Sequence, residues 1–190
     1  MKRLPEISLH PLAPAGIFLV LFALPKNYAF AVVFVSFIHE CGHAAAGILL
    51  GEKIEKITIM PVGISMQISR ARSYAEEIIT AAAGPVQNIF CLIFSRFFAC
   101  QAEIRSFALI SLAINLLPVG TLDGGRILHA AVSLFFGEDT GKTVLDVCGT
   151  ICLFFVWMIG VYIFFYTAEN AALLIFCSYI FARVILFRRD

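Results

Sequence analysis

Two histidines and a glutamate stand in this chain at a spacing that suits metal binding. His39, Glu40 and His43 form the sequence H-E-x-x-H. Because four residues make just over one helical turn, the two imidazoles project from one face of a helix and can share one ion, while Glu40 stands beside them without ligating. The pattern predicts hydrolytic metal chemistry, with Glu40 as the general base. The alternative is a chance match, since the motif fixes only three positions.

The surroundings of the motif weigh against chance. Hydrophobic residues make up 61% of the chain and charged residues only 14%, whereas globular chains carry about a quarter charged residues. This composition favours a lipid-facing exterior. An ionisable group inside a membrane helix costs roughly 2.5–3.5 kcal/mol on insertion scales and therefore indicates function. The net charge of +1, with Lys and Arg scattered, forms no patch that would bind nucleic acid.

A third metal ligand is required, because a catalytic zinc ion takes three protein ligands and keeps one open position. Asp123 is the candidate, since it follows Pro118 in a stretch where glycines also interrupt helix and let a short carboxylate face the ion. The alternative is that Asp123 caps a helix beginning near Gly124. Asp146, a second intramembrane carboxylate, is interpreted as a first-turn helix residue.

Six apolar segments are predicted to cross a membrane, since a hydrocarbon core about 30 Å thick takes roughly 20 residues of helix. They run over residues 7–24, 28–50, 74–95, 104–136, 144–166 and 171–187. The fourth is too long for one span and is broken at Pro118. With the N-terminus inside, nine Lys and Arg lie on the inner side and three on the outer side, which predicts that both termini are cytoplasmic.

One stretch between the second and third spans, residues 52–69, fits no membrane helix. Apolar residues recur at alternate positions on either side of a Pro and a Gly, at Ile57, Ile59, Ile64, Met66 and Ile68. This alternation predicts a β-hairpin, either in a cytoplasmic loop or dipping into a protein-lined cavity. The predicted fold is an all-α polytopic membrane protein with about six transmembrane helices and this hairpin. We expect one domain over residues 1–190, without a soluble regulatory or PDZ domain.

Taken together, the motifs resemble the site-2 protease family of membrane metallopeptidases, and within it most the group of the sporulation stage IV protein FB. The family's motifs H-E-x-x-H, N-x-x-P-x-x-x-x-D-G and Ala-Gly-Pro match His39, Glu40, His43; Asn115, Pro118, Asp123, Gly124; and Ala83, Gly84, Pro85 with Asn88. The resemblance covers essentially the whole chain. Two motifs in this order are far more specific than either alone.

This resemblance implies an intramembrane zinc metalloprotease with one zinc ion held by His39, His43 and Asp123. The implied substrate is a membrane-tethered protein, such as a sigma-factor precursor or an anti-sigma factor, cut in or near its transmembrane segment. Glu40 is the implied base, and Asn115 is implied as a donor to the oxyanion. An interhelical hydrogen bond is the alternative role for Asn115.

The same resemblance implies a location in a bacterial cytoplasmic membrane or a forespore-type internal membrane. The partners are then membrane lipid and regulatory membrane proteins. Two other classes of function compete with a protease. A metal or ion transporter explains intramembrane His and Asp but not Glu40. An inactive binding protein on the same fold predicts loss of a motif residue, and none is lost.

Overall fold

The computed structural model of the 190-residue chain describes residues 6–9, 11, 13–52, 54–59, 64–68, 73–120, 122–167 and 178. Within these ranges the protein is mostly helical, with six α-helices and a small sheet. The chain divides into two compact units, Met1–Leu116 and Leu117–Asp190.

The first unit contains the sheet and four of the helices. Its elements are β1 (Glu6–Leu9), α1 (Ala13–Ala23), α2 (Lys26–Leu49), β2 (Ile54–Ile59), β3 (Ile64–Ile68), α3 (Tyr74–Phe94), a short 3-10 turn (Ser95–Phe97) and α4 (Gln101–Asn115). The described part of the second unit contains α5 (Asp123–Phe136) and α6 (Glu138–Thr167).

In the part of the chain that the structure describes, three helices are long and apolar enough to cross a membrane. They are α2, α3 with its following turn, and α6, over Lys26–Leu49, Tyr74–Phe97 and Glu138–Tyr166. The 24 residues of α2 make a helix about 36 Å long, more than the roughly 30 Å of a hydrocarbon core. These helices confirm the second, third and fifth predicted spans. The chain is therefore a multi-pass integral membrane protein.

The first predicted span, residues 7–24, is wrong at its start. The strand β1 occupies that start, and α1 has only 11 residues, about 17 Å of helix. The polar residues of β1 explain the difference, because they have partners on β2. The Glu6 carboxylate lies 3.5 Å from Lys56 Nζ, and the hydroxyl groups of Ser8 and Thr58 lie 2.9 Å apart.

The predicted β-hairpin is confirmed, and the structure adds a third strand to it. The strands β2 and β3 pair antiparallel, with Ile57 opposite Met66 and Ile59 opposite Ile64. The strand β1 pairs with β2 in parallel, so the sheet order is β1-β2-β3. The expected all-α fold with one hairpin is thus corrected to a helical fold with a three-stranded sheet, in which β2 is central and β3 is an edge.

The predicted break in the fourth span is also confirmed. Residues 104–136 contain most of α4 and all of α5, with non-helical backbone around Pro118. The sixth predicted span, residues 171–187, lies outside the described residues apart from Ser178, whose Oγ accepts a 3.0 Å hydrogen bond from Trp157 Nε1.

A small apolar core joins three helices of the first unit. It consists of Ala31 and Val35 on α2, Cys91 on α3, and Ile104 and Ala108 on α4. The small side chains of Ala31, Cys91 and Ala108 let these helices approach closely, which is the usual solution where lipid supplies no hydrophobic drive between helices. The core fixes α2, the helix of the H-E-x-x-H motif, against α3.

Candidate metal centre

The two histidines of the motif form a compact pair on α2. Both side chains are buried, at 6% exposure each. Their Nε2 atoms lie 3.2 Å apart, and the rings meet edge to face with centroids 4.8 Å apart. The helical spacing of four residues therefore brings two imidazole nitrogens together, as the sequence predicts.

A carbonyl on the neighbouring helix α3 fixes the tautomer of one of these rings. His43 Nδ1 lies 2.8 Å from the backbone oxygen of Thr80. Because a carbonyl oxygen can only accept, the hydrogen of this bond is on Nδ1, and neutral His43 has its lone pair on Nε2. Metal-ligating histidines usually donate their second ring N–H in this way, which also orients the ring.

The geometry of the pair fits zinc. In a tetrahedral site with Zn–N distances of about 2.0–2.1 Å, two ligand nitrogens lie about 3.3–3.4 Å apart. The observed separation of 3.2 Å between the Nε2 atoms of His39 and His43 is close to that value. Two imidazoles from α2 can therefore occupy two positions of one zinc ion.

The second unit contains a buried carboxylate. Asp123 is the first residue of α5 and is 7% exposed. The N-cap is Leu122, without a side-chain cap hydrogen bond, so the alternative that Asp123 caps the helix is wrong. One Asp123 oxygen lies 3.8 Å from Arg126 Nη1, one turn along α5. A negative charge in the first turn is also favoured by the helix dipole.

Close packing within the second unit places the start of α5. A Cβ on Gly125 would collide with the carbonyl group of Val119 and lie 2.8 Å from Gly120 N. A Cβ on Gly149 of α6 would lie 2.8 Å from Pro118 O. Glycine at these two positions therefore lets the Pro118 loop lie directly against α5 and α6.

The interpretation of Asp146 is corrected in part. The helix α6 begins at Glu138, so its first-turn acids are Glu138 and Asp139. Asp146 is further along the helix and exposed. Among the histidines and carboxylates that the structure describes, the buried ones are His39, His43 and Asp123. Burial thus separates the three predicted ligands from the other acidic residues.

The two remaining predicted residues lie in the first unit. Glu40 is half-buried on α2, next to His39. Asn115 is the last residue of α4, and its amide donates to Ser111 Oγ at 3.3 Å. The same hydroxyl accepts from the fully buried amide of Asn88 on α3 at 3.1 Å. Ser111 therefore links the two asparagines across α3 and α4.

Sequence reasoning missed Thr80 and Ser111. Each lies four residues before a residue of a recognised motif, Gly84 and Asn115 respectively. The helical period places such pairs on one face. This spacing could have indicated that the two residues lie near the site. The role of Thr80 could not be predicted from its residue type, because Thr80 acts through its backbone oxygen.

Buried imidazoles with an adjacent glutamate, on an apolar helix long enough to cross a membrane, define a membrane metallopeptidase class. Residues 12–189 match the family described as Peptidase M50B-like, and the chain belongs to that family. The predicted membership of the site-2 protease class, and the assignment as a metalloprotease of that class, are thereby confirmed at the level of the family.

Individual relatives agree with this family. The chain is 29% identical over 113 residues to the stage IV sporulation protein FB of Bacillus subtilis, covering 54% of this chain and 39% of that protein. It is 34% identical over 120 residues to a zinc metalloprotease of Methanocaldococcus jannaschii, covering 57% of this chain and 35% of that protein. The matches thus span under two-fifths of the length of these relatives.

The fold has a counterpart among solved structures. The site-2 protease from Methanocaldococcus jannaschii aligns with a TM-score of 0.67, covering 100% of this chain and 94% of that one, at 20% sequence identity. At this identity the likeness shows a shared fold.

Proposed function

We propose that the protein is a zinc metalloprotease that hydrolyses a peptide bond in or near the transmembrane segment of a membrane-tethered protein. The observation that carries the proposal is the buried imidazole pair on α2, with Nε2 atoms 3.2 Å apart inside a helix long enough to cross a membrane. Family membership supports it, because the matched family is one of peptidases.

The ligands in this proposal are His39, His43 and Asp123. Two imidazoles and one carboxylate are a donor set that catalytic zinc uses, with a fourth position left for water. Burial of all three side chains supports the choice, since a buried charge needs a partner or a metal. The tautomer that Thr80 imposes leaves His43 Nε2 as the ligating atom.

The chemistry then falls to Glu40 and Asn115. A zinc ion held by His39, His43 and Asp123 would supply Lewis-acid chemistry, polarising the scissile carbonyl and lowering the pKa of a water molecule. A Glu40 carboxylate oxygen accepts a proton from the attacking water and returns it to the leaving amine nitrogen. The Asn115 amide donates a hydrogen bond to the oxygen of the carbonyl as negative charge develops there. Glu40 is suited to the first role because it is adjacent to a ligand and is not itself one.

The substrate class follows from the membrane setting. A transmembrane substrate in a helix hides its peptide bonds, so it must be extended before cleavage. The edge strand β3 is the proposed holder, because β2 is already paired on both sides and a sheet edge can pair with an extended peptide. A tethered sigma-factor precursor or anti-sigma factor is the substrate that the sporulation resemblance implies. Membrane-tethered regulators are the further proposed partners.

The experiment is cleavage of a membrane-tethered reporter co-reconstituted with the protein in lipid vesicles. We expect cleavage by the wild type and loss of at least about 100-fold in rate with Glu40→Gln, because the amide cannot accept the proton. Zinc content per protein should be unchanged in Glu40→Gln. The matched control is Glu55→Gln on β2, an exposed carboxylate, which should cleave like the wild type.

Two results would contradict the proposal. Near wild-type cleavage by Glu40→Gln would remove Glu40 as the base. Zinc flux across the vesicles by a wild type that cleaves no tethered reporter would favour the transporter alternative.

A further inference from the structure

Gly84 of α3 lies directly against the histidine pair of α2. A Cβ built on Gly84 would lie 2.6 Å from His43 Cε1 and 2.7 Å from His39 Cε1, and His43 Nε2 would be closer still. Carbon atoms do not approach ring atoms so closely, so the two rings occupy the space that any side chain at this position would fill. The contact is on the ligating edge of His43.

The same face of α3 also binds the other nitrogen on that edge of the ring. Thr80 lies one turn before Gly84, and its carbonyl oxygen accepts the hydrogen bond from His43 Nδ1 at 2.8 Å. Residues four apart on a helix share a face. The Nδ1–Cε1–Nε2 edge of His43 therefore lies against α3, with a hydrogen bond at Nδ1 and close contact at Cε1 and Nε2.

We infer that Gly84 is a positioning residue for the metal ligands. Its missing side chain lets both rings bring their Nε2 atoms to 3.2 Å while His43 keeps its bond to Thr80. A methyl group at this position must displace His43, either away from His39 or off the carbonyl oxygen. The inference rests on the proposed ligand role of His39 and His43.

A second close glycine on the same helix pair provides a matched control. A Cβ on Gly42 of α2 would lie 2.6 Å from Ala83 O and 2.6 Å from Gln87 Cγ. These are contacts with α3 that involve neither ring. Gly42→Ala therefore strains the packing of α2 on α3 without occupying the space of the imidazoles. Gly84→Ala strains the same packing and also occupies the space of the imidazoles.

The first test measures binding of Co²⁺ to purified, metal-depleted protein, using visible absorption bands that report the coordination geometry. We expect Gly84→Ala to weaken Co²⁺ binding by about 10- to 100-fold, the effect typical of altered support around a metal ligand, and to change the absorption bands. Gly42→Ala should keep the wild-type bands. Wild-type bands and affinity in Gly84→Ala would overturn the inference, as would equal changes in both variants. A wild type without Co²⁺ bands would instead contradict the proposed function.

The second test needs no metal and compares thermal unfolding of the metal-depleted variants. Gly84→Ala should lower the unfolding midpoint when the imidazoles are present and should not lower it in a His39→Ala/His43→Ala background, because the obstructing rings are gone. Gly42→Ala should lower the midpoint equally in both backgrounds. Folding of Gly84→Ala only in the double-alanine background would also support the inference. An equal loss in both backgrounds would show that Gly84 serves helix packing alone.

Discussion

At the scale of single residues, side-chain type and local spacing identify most of the candidate site. The His39 and His43 pair was predictable because both members lie on one helix, where a spacing of four residues fixes their relative direction. Its support was not predictable in the same way. Thr80 contributes a backbone oxygen and Gly84 an absence of side chain, and both reach the pair from a different helix.

The proposed ligand role of Asp123 gives a prediction about zinc binding. Asp123→Asn should reduce zinc retention at least about 10-fold, because a neutral amide is a poor ligand where a carboxylate is required. The matched control is Asp146→Asn, the same chemical change at an exposed position, which should keep the wild-type zinc content. Elemental analysis of purified protein after dialysis against a weak chelator measures both. Equal zinc retention in the two variants would remove Asp123 from the ligand set.

The hydroxyl of Ser111 gives a second prediction at this scale, concerning the proposed oxyanion donor. Ser111→Ala removes the acceptor shared by the amides of Asn88 and Asn115. We expect kcat to fall about 10-fold with little change in KM, since an oxyanion donor acts mainly in the transition state. Ser111→Thr keeps the hydroxyl and should restore most of the rate. If Ser111→Ala keeps the wild-type kcat, or if threonine fails where alanine fails, the hydroxyl does not position Asn115.

At the scale of elements, apolar length predicted the three long helices α2, α3 and α6, and local alternation predicted the hairpin. The failure came at β1, whose four residues pair with β2 some 50 positions later in the chain. The sequence of β1 alone contains too short an alternation to indicate a strand, and its partner lies beyond two helices. Local sequence patterns do not show which distant segments pair. For this reason the start of the first predicted span was expected to be helical, whereas it forms an edge strand of the sheet.

The edge strand β3 gives a prediction that the backbone can test. Proline lacks the N–H that a paired strand donates, and successive N–H groups along an edge strand point alternately to its partner and outward. Single prolines at positions 64–68 should therefore alternate in effect. One set should disrupt the pairing with β2 and reduce the yield of folded protein. The other set should fold, bind zinc and still lose cleavage, because outward N–H groups are proposed to hold the substrate.

Each proline variant is compared with alanine at the same position, using the tethered reporter and zinc content. Alanine keeps the N–H and should cleave at nearly the wild-type rate. Equal cleavage by proline and alanine at every position that folds would exclude strand addition at β3. The hairpin would then act as an ordinary loop between α2 and α3.

At the scale of the whole molecule, the apolar exterior is the dominant fact. Large hydrophobic residues are exposed along α6, among them Phe155 at 59%, Ile159 at 57% and Phe165 at 81%. Water would penalise such a surface, whereas hydrocarbon does not. Composition alone therefore predicted that the protein lies in a membrane, because the balance of apolar and charged residues is a property of the whole chain. Its orientation in the membrane depends on a smaller signal.

That signal is the distribution of Lys and Arg, and it gives the last prediction. Basic residues near the ends of spans stay on the cytoplasmic side. The loop between α2 and α3 contains Lys53, Lys56, Arg70 and Arg72, whereas the loop between α3 and α4 contains Arg96 and reaches Arg105 early in α4. We therefore expect the first loop to be cytoplasmic and the second to be external. Fusions of a reporter active only inside the cell, and of one active only outside it, after residues 51 and 99 should give opposite activities. Reversed activities at both positions would contradict this orientation of the two loops, and equal activities would mean that α3 does not cross the membrane despite its length.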